Sequence, residues 1–296
     1  MSETQFILDA INGAYIKRKR QPGMPLRPSS LGACDLKNAL LFDAVGRAPR
    51  SPESLRVLER GTQRDEALSQ ALKEGIDSPV LTQQRLWIPI PEIQGEEAED
   101  IARVLATERV QVRPYGHVNC LWYSGSADAI LVALGPEGED WLLDWKTAGS
   151  YGFVLQTEKD GPSEEYVAQL DTYAWAWEIQ TGQRPRVALI FESQDSDARK
   201  GIVGGELRAV ELEPEHTMHV GRLARERMTA VLRAWRRGET FTVKPTVPGP
   251  SPQAGNLDWR CCYCDVGPQV CGAWGEVENV GTEKRPKWRQ VQDGTL

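Results

Sequence analysis

An α/β fold is expected from three features of the sequence. Short apolar runs of strand character at 80–90, 122–134, 141–147, 186–192 and 206–212 alternate with helix-period stretches at 51–74, 95–107, 164–179 and 216–237. Turn-forming residues divide them, as in Gly135-Pro136-Glu137-Gly138 between the second and third strands. The composition, 40% hydrophobic and 26% charged over 296 residues, is that of a soluble globular chain long enough to bury a substantial core.

In chain order, residues 4–18 place Phe6, Ile7, Ala10, Ile11, Ala14 and Tyr15 on one face of a helix that ends at Lys17-Arg18-Lys19-Arg20 and Pro22. That basic run suits the negative end of a helix dipole as well as it would suit nucleic acid. Ser29 or Ser30 reads as the N-cap of a helix running to Phe42, which puts Cys34 near a helix start, where exposed N–H groups favour a thiolate. Ser51-Pro52 opens the next helix, and Gly61 inside it, costing about 1 kcal/mol against alanine, points to a break or a close backbone approach. A strand at 80–90 and a charged surface helix at 95–107 follow. Cys120 reads as a small buried hydrophobe. After a loop, residues 164–179 form a helix carrying Tyr166, Gln169, Tyr173 and Trp177 along one stripe, then come a buried strand at 186–192 and an edge strand at 206–212. The long helix at 216–237 carries His216 and His219 as surface residues. A proline-rich linker spans 243–256, and the polar residues 281–296 are expected to be a mobile tail.

The stretch Trp141-Leu142-Leu143-Asp144-Trp145-Lys146-Thr147 organises the rest. Successive strand side chains point to opposite faces, so Asp144 and Lys146 share one face while Trp145 enters the core. Should 122–134 and 141–147 pair as a hairpin, Asp128 and Asp144 converge. Two carboxylates and a lysine suit phosphodiester hydrolysis: hard oxygen ligands hold Mg²⁺ or Mn²⁺, which acidifies a bound water, and the ammonium offsets charge on the phosphate. An Asp-x-Lys pair alone is far more often an ordinary surface salt bridge.

Four of the six cysteines fall within eleven residues, Cys261-Cys262-Tyr263-Cys264 through Cys271. In a chain without the layout of a secretion signal, this points to metal or redox chemistry rather than disulfides. Cys261, Cys264 and Cys271 supply three thiolates, one short of a tetrahedral zinc or a cubane cluster; Cys262 is poorly directed, and Cys34 is the better fourth. Composition leaves zinc and iron–sulfur both open.

Taken together, Ser29-Ser30-Leu31-Gly32-x-Cys34, Gly61-x-x-x-Asp65-Glu66, Gly125-x-x-Asp128, Asp144-x-Lys146, Gln169-x-x-x-Tyr173 and Cys261-x-x-Cys264-x6-Cys271 resemble, in that order, the RecB-like branch of the PD-(D/E)xK nucleases. The likeness is to its iron–sulfur exonucleases: the Cas-four-like CRISPR-associated and phage proteins and the nuclease domain of AddB. It implies a restriction-endonuclease-like core, with a mixed central sheet flanked by helices and a helical lobe closed by the cluster. A single nuclease domain over 1–280 is expected, with a helical lobe at 28–75, the core at 80–240 and the cysteine segment at 257–272. By the same resemblance Asp128 and Asp144 are metal ligands assisted by the Trp145 carbonyl, Lys146 is the catalytic lysine, and Gln169 and Tyr173 position substrate and lysine. Cys34, Cys261, Cys264 and Cys271 hold a four-iron four-sulfur cluster. The chain departs from the family at Asp65, where histidine is usual, and aspartate can take that ligand role itself, with Glu66 as the fallback. At 144 it has aspartate where many relatives have glutamate.

The activity implied is metal-dependent exonucleolytic cleavage of single-stranded DNA or DNA ends, leaving a 5′ phosphate, in a phage, CRISPR or recombination setting, by a homo-oligomer or beside a partner protein. No Gly-x-x-x-x-Gly-Lys-Ser/Thr loop is present, so a helicase is not expected. A net charge of −7 counts against a passive nucleic-acid coat, though a local basic patch serves an enzyme. No membrane span is expected, and the cytoplasm is the default location. Two rival readings stand beside the enzyme: a zinc- or cluster-stapled module that holds DNA ends or a protein, and an electron-transfer protein, which leaves Asp128, Asp144, Lys146, Gln169 and Tyr173 without a role.

Overall fold

The computed structural model describes residues 26–43, 52–134, 137–246, 256–257, 261, 264, 266, 271–281 and 287–291. The helix expected at 4–18 with its basic run, Cys262, and most of the proline-rich stretch at 243–256 lie outside them. The described residues fall into two compact units: those within 26–32 and 50–226, and those within 33–49 and 227–296.

The first unit is α/β. Its strands are β1 (Val80–Gln94), β2 (Val110–Tyr115), β3 (Val118–Leu131), β4 (Trp141–Ala148), β5 (Arg186–Ser193) and β6 (Leu207–Glu211). They form one sheet in the order β1-β3-β4-β5-β6, with β2 also on β3. Only β4 and β5 run parallel, so the sheet is mixed. A parallel pair needs a crossover, and α5 (Glu164–Thr181) supplies it, following the short α4 (Ser150–Val154) and one π-helical turn at Leu155–Lys159. Glu164 and Glu165 stand in the first turn of α5, where the dipole favours acids, and Gly182 closes the helix at φ +80°. Val167, Ala168, Leu170, Ala174 and Trp177 are all buried, and the Trp177 indole N–H donates to Asp140 Oδ2 at 2.8 Å, so α5 is an inner helix.

One apolar cluster of the sheet gathers Ala129, Leu131, Leu143, Trp145 and Ala188, covered by Leu68 and Leu72 of α2 (Pro52–Gly75). Trp145 is thus in the core, as strand alternation requires. Gly125 has a steric reason: a Cβ there would stand 2.7 Å from the Pro28 ring and 3.0 Å from Tyr173.

The second unit contains α1 (Asp35–Phe42), the part of α6 (Pro214–Arg236) from Arg227 onward, and the hairpin of β7 (Val277–Asn279) with β8 (Trp288–Gln290). Leu36, Leu40 and Val266 form its buried cluster, with Cys34, Cys264 and Cys271 packed against them, and the Phe42 and Trp235 rings stack at 5.1 Å.

Several expectations change. The N-cap of α1 is Cys34, while Ser29 and Ser30 belong to a separate 3-10 turn at Pro28–Ser30; proline fixes φ there and starts its own turn. Gly61 causes neither break nor close approach: α2 is continuous, and a Cβ at Gly61 would meet nothing within 4 Å. The charged helix, α3 (Gly95–Leu105), buries Ala98 and Ile101 completely. β2 was not anticipated, because Pro114 interrupts its alternation. The tail expected to be mobile contributes β8. Among the described residues no helix is long and apolar enough to cross a membrane.

Candidate active site

The site forms where two antiparallel strands part. β3 and β4 pair only from Ala129 opposite Leu143 to Leu131 opposite Trp141. Beyond that point the Trp145 N–H has no ladder partner on β3, and the side chain of Asp128 takes its place, with Oδ2 accepting at 2.9 Å. Asp128 is thereby brought beside Asp144, as the hairpin reading requires. Its Oδ1 accepts from Gln83 Nε2 at 3.3 Å.

Asp144 and Lys146 do share a face, and α5 lies over it. Asp144 is 1% exposed; its Oδ1 accepts from Gln169 Nε2 at 3.0 Å, and its Oδ2 is ion-paired with the Lys146 ammonium and accepts no other hydrogen bond. Lys146 donates to Gln169 Oε1 at 3.4 Å and stands 5.0 Å from the Tyr166 ring. A carboxamide can donate to an anion and accept from a cation at once, which is what Gln169 does here. Tyr173, one turn on and 4% exposed, lies beside Gln169; burial and the nearby Asp144 and Asp128 raise its pKa well above the ordinary range, so it remains a neutral hydroxyl.

These groups crowd one another electrostatically. Burial pushes the Asp144 carboxyl up to about 7, with Asp128 adding to the rise and Lys146 opposing it. Burial alone would lower the Lys146 pKa, but Asp144 and then Asp128 raise it above the usual lysine value. Asp65, on α2, rises to about 6, first through burial and then through Asp128, with Lys146 opposing and Glu192 and Glu66 adding. Asp65 therefore belongs to this charge cluster, and the exposed Glu66 flanks it.

Glu192 was missed from the sequence. It ends the apolar run Val187-Ala188-Leu189-Ile190-Phe191 and is buried; Arg64 pairs with its Oε1 at 2.5 Å while Oε2 has no hydrogen-bond partner. A glutamate closing a buried strand was the available signal.

A raised Asp65 pKa means that the folded protein holds a proton more tightly than the unfolded chain. Stability then falls as pH rises from about 4, the ordinary value, to about 6, and stays lower above that. Asp65→Asn removes this loss. It is expected to stabilise the protein at pH 8 by about 1 kcal/mol, after solvent screening of a half-exposed group, which thermal melts in the presence of a chelator check.

Among the described residues, no three Asp, Glu, His or Cys side chains stand close enough together, as placed, to close on a metal ion. The donor chemistry nevertheless fits Mg²⁺ or Mn²⁺. Mg²⁺ needs only one or two carboxylates and keeps several waters. Asp128 repels both Asp144 and Asp65, and a dication would offset the charge of these oxygen donors.

In the second unit, Cys34, Cys264 and Cys271 surround one apolar cluster. The Cys264 N–H donates to the Cys261 carbonyl at 3.3 Å, closing the Cys261-x-x-Cys264 turn. The Cys271 thiol is pushed up by burial and then by the nearby Cys264 and Cys34 sulfurs. None of the described cysteines forms a disulfide. Cys120 is fully buried in the first unit, as expected of a small hydrophobe, and His216 and His219 are exposed.

Comparison with protein-family models and with curated proteins returned no match. Among solved structures the chain is similar to SSO0001, at 15% identity over 88% of this chain and 92% of that one, with a TM-score of 0.42. It is also similar to an Eubacterium rectale protein named "Putative exonuclease", at 14% identity over 72% of this chain and 76% of that one, with a TM-score of 0.38. TM-scores below 0.5 mark loose similarities of chain course, and neither assigns this chain a family or an activity.

Proposed function

We propose that this protein is a Mg²⁺- or Mn²⁺-dependent deoxyribonuclease of the RecB-like PD-(D/E)xK type that degrades DNA from ends or as single strands. The observation that carries this reading is the Gln169 amide joining Asp144 to Lys146 beside Asp128, at the point where β3 and β4 separate.

Asp128 and Asp144 would hold the ion, with Asp65 and the Trp145 carbonyl as further donors. When bound, the ion would acidify a water and offset charge on the phosphate. The chain's own residues do the rest. The Trp145 N–H and Gln83 fix the Asp128 carboxylate, and Gln169 fixes that of Asp144. The Lys146 ammonium, 16% exposed in its side chain, is kept protonated by its anionic neighbours. With Asp144 holding the ion, Lys146 would be free to offset the charge that builds on the phosphate. Tyr173 stands beside Gln169 as a neutral hydroxyl.

In the second unit, Cys34, Cys261, Cys264 and Cys271 would hold a four-iron four-sulfur cluster. A cluster needs four thiolates in one pocket, and three of these sulfurs already share one apolar surround.

The test is release of nucleotides from end-labelled single-stranded DNA, expected with Mg²⁺ or Mn²⁺ and absent with a chelator. Binding that is indifferent to Mg²⁺, with no product, would favour the DNA-end-holding module instead. Anaerobically purified protein should be brown, and Cys34→Ser should bleach it.

A further inference from the structure

Gln83 lies inside β1, the fourth of its 15 residues, yet its φ is +51°. Two other described non-glycine residues have positive φ: Ala106 caps the end of α3, and Ala133 sits in the turn after β3. Of the three, Gln83 alone is inside a strand. Thr82 faces Ala129 and Gln84 faces Ala127, so Gln83 stands opposite Asp128 with no residue inserted on either strand. The distortion is therefore a backbone flip at the position opposite Asp128, and no change of register accompanies it there.

Left-handed backbone is sterically costly for any residue with a Cβ and persists where its surroundings hold it. Glycine would adopt this φ freely; what glutamine adds is its amide, and that amide donates to Asp128 Oδ1 at 3.3 Å. With the Trp145 N–H on Oδ2, both oxygens of Asp128 are engaged, and two anchors on one carboxylate fix the plane of the group as well as its position.

We propose that Gln83 is a positioning residue for the cation-binding carboxylate of Asp128, its left-handed backbone serving to aim the side-chain amide at Oδ1. This rests on the reading that Asp128 holds a divalent cation. Partners that orient a metal-binding carboxylate are commonly worth 10- to 100-fold in affinity.

The experiment compares wild type, Gln83→Gly and Gln83→Ala for Mn²⁺ affinity of DNA-free protein, measured by electron paramagnetic resonance titration, for metal-free Tm, and for cleavage at saturating Mn²⁺. Gln83→Gly removes the amide and relieves the backbone. It should bind Mn²⁺ about tenfold or more weakly with an unchanged or higher Tm. Gln83→Ala should bind equally weakly with a lower Tm. At saturating Mn²⁺, kcat should return most of the way to wild type, a split that general loss of structure does not produce. Mn²⁺ affinity of Gln83→Gly within about twofold of wild type overturns the proposal, since the orienting effect it predicts starts at about tenfold. If wild type binds Mn²⁺, Gln83→Gly binds it weakly and neither cuts DNA, the positioning role stands and the nuclease reading falls; if wild type binds no Mn²⁺, both fall.

Discussion

Asp144→Asn is expected to lower DNA cleavage by about 1,000-fold or more at saturating Mn²⁺, the scale of losing a group that acts on transition-state charge, while the fold survives. Asparagine keeps the shape of the side chain and an oxygen for the Lys146 ammonium, but its NH2 then stands where Oδ1 was, so what is lost is the negative charge, one donor atom for the cation and the acceptor of the Gln169 amide. The fold should tolerate this because the site disfavours that charge: burial already pushes the carboxyl up to about 7. Lys146 also retains Gln169 Oε1. The same raised pKa gives a pH signature. Below about 7 the folded protein carries a proton on Asp144 that a cation must displace, so at subsaturating Mn²⁺ the rate should climb about tenfold per pH unit and level off above. Saturating Mn²⁺ should move the midpoint downward. Initial rates on an end-labelled single strand from pH 5.5 to 8.5, with thermal melts of both proteins, check each statement. A wild-type rate from Asp144→Asn would remove this carboxylate from the chemistry, and Lys146→Ala is the companion variant for the ammonium.

Much of the site could be read from the sequence because its parts obey short-range periodicity. Two-residue strand spacing places Asp144 with Lys146 and sends Trp145 the other way, and four-residue helix spacing places Gln169 with Tyr173. Turn chemistry between β3 and β4 brings Asp128 to Asp144. Gln83 and Glu192 escaped because nothing local marks them. Gln83 owes its place to a backbone flip that leaves the pairing on either side of it, Thr82 with Ala129 and Gln84 with Ala127, in register. Glu192 finds its counter-charge in Arg64 of α2, 128 positions earlier in the chain. The Gly61 reading failed for the opposite reason, since a local penalty of about 1 kcal/mol does not break a helix of 24 residues packed through Leu68 and Leu72.

A carboxylate outside the site ties α5 to Arg184 and to α6, and Asp171→Ala should show the largest loss of stability. Asp171 is 1% exposed on α5, two residues beyond Gln169; Arg184 meets its Oδ1, and Arg225 of α6 meets its Oδ2 at 2.5 Å. Gly221 of α6 abuts the same carboxylate, where a Cβ would fall 1.9 Å from Oδ2, so the helices close on it with no space to spare. Arg184 and Arg225 are 23% and 20% exposed in their side chains. Alanine would leave two largely desolvated guanidinium groups without this counter-charge and open a void beneath Gly221. Removing one partner of a buried ion pair costs 3–5 kcal/mol, and the residual exposure of the arginines, with Glu178 still 2.9 Å from Arg184, argues for about 3 kcal/mol. For a unit of this size that is a fall in Tm of about 6–12 °C. Cleavage per folded molecule at 20 °C should change little, because Gln169 retains its own bonds to Asp144 and Lys146. Replacing all three charged groups together, Asp171→Leu with Arg184→Met and Arg225→Met, should recover part of the lost stability, since no uncompensated charge is then buried. A single variant that melts within about 2 °C of wild type would mean that water or another anion reaches these arginines once Asp171 is gone.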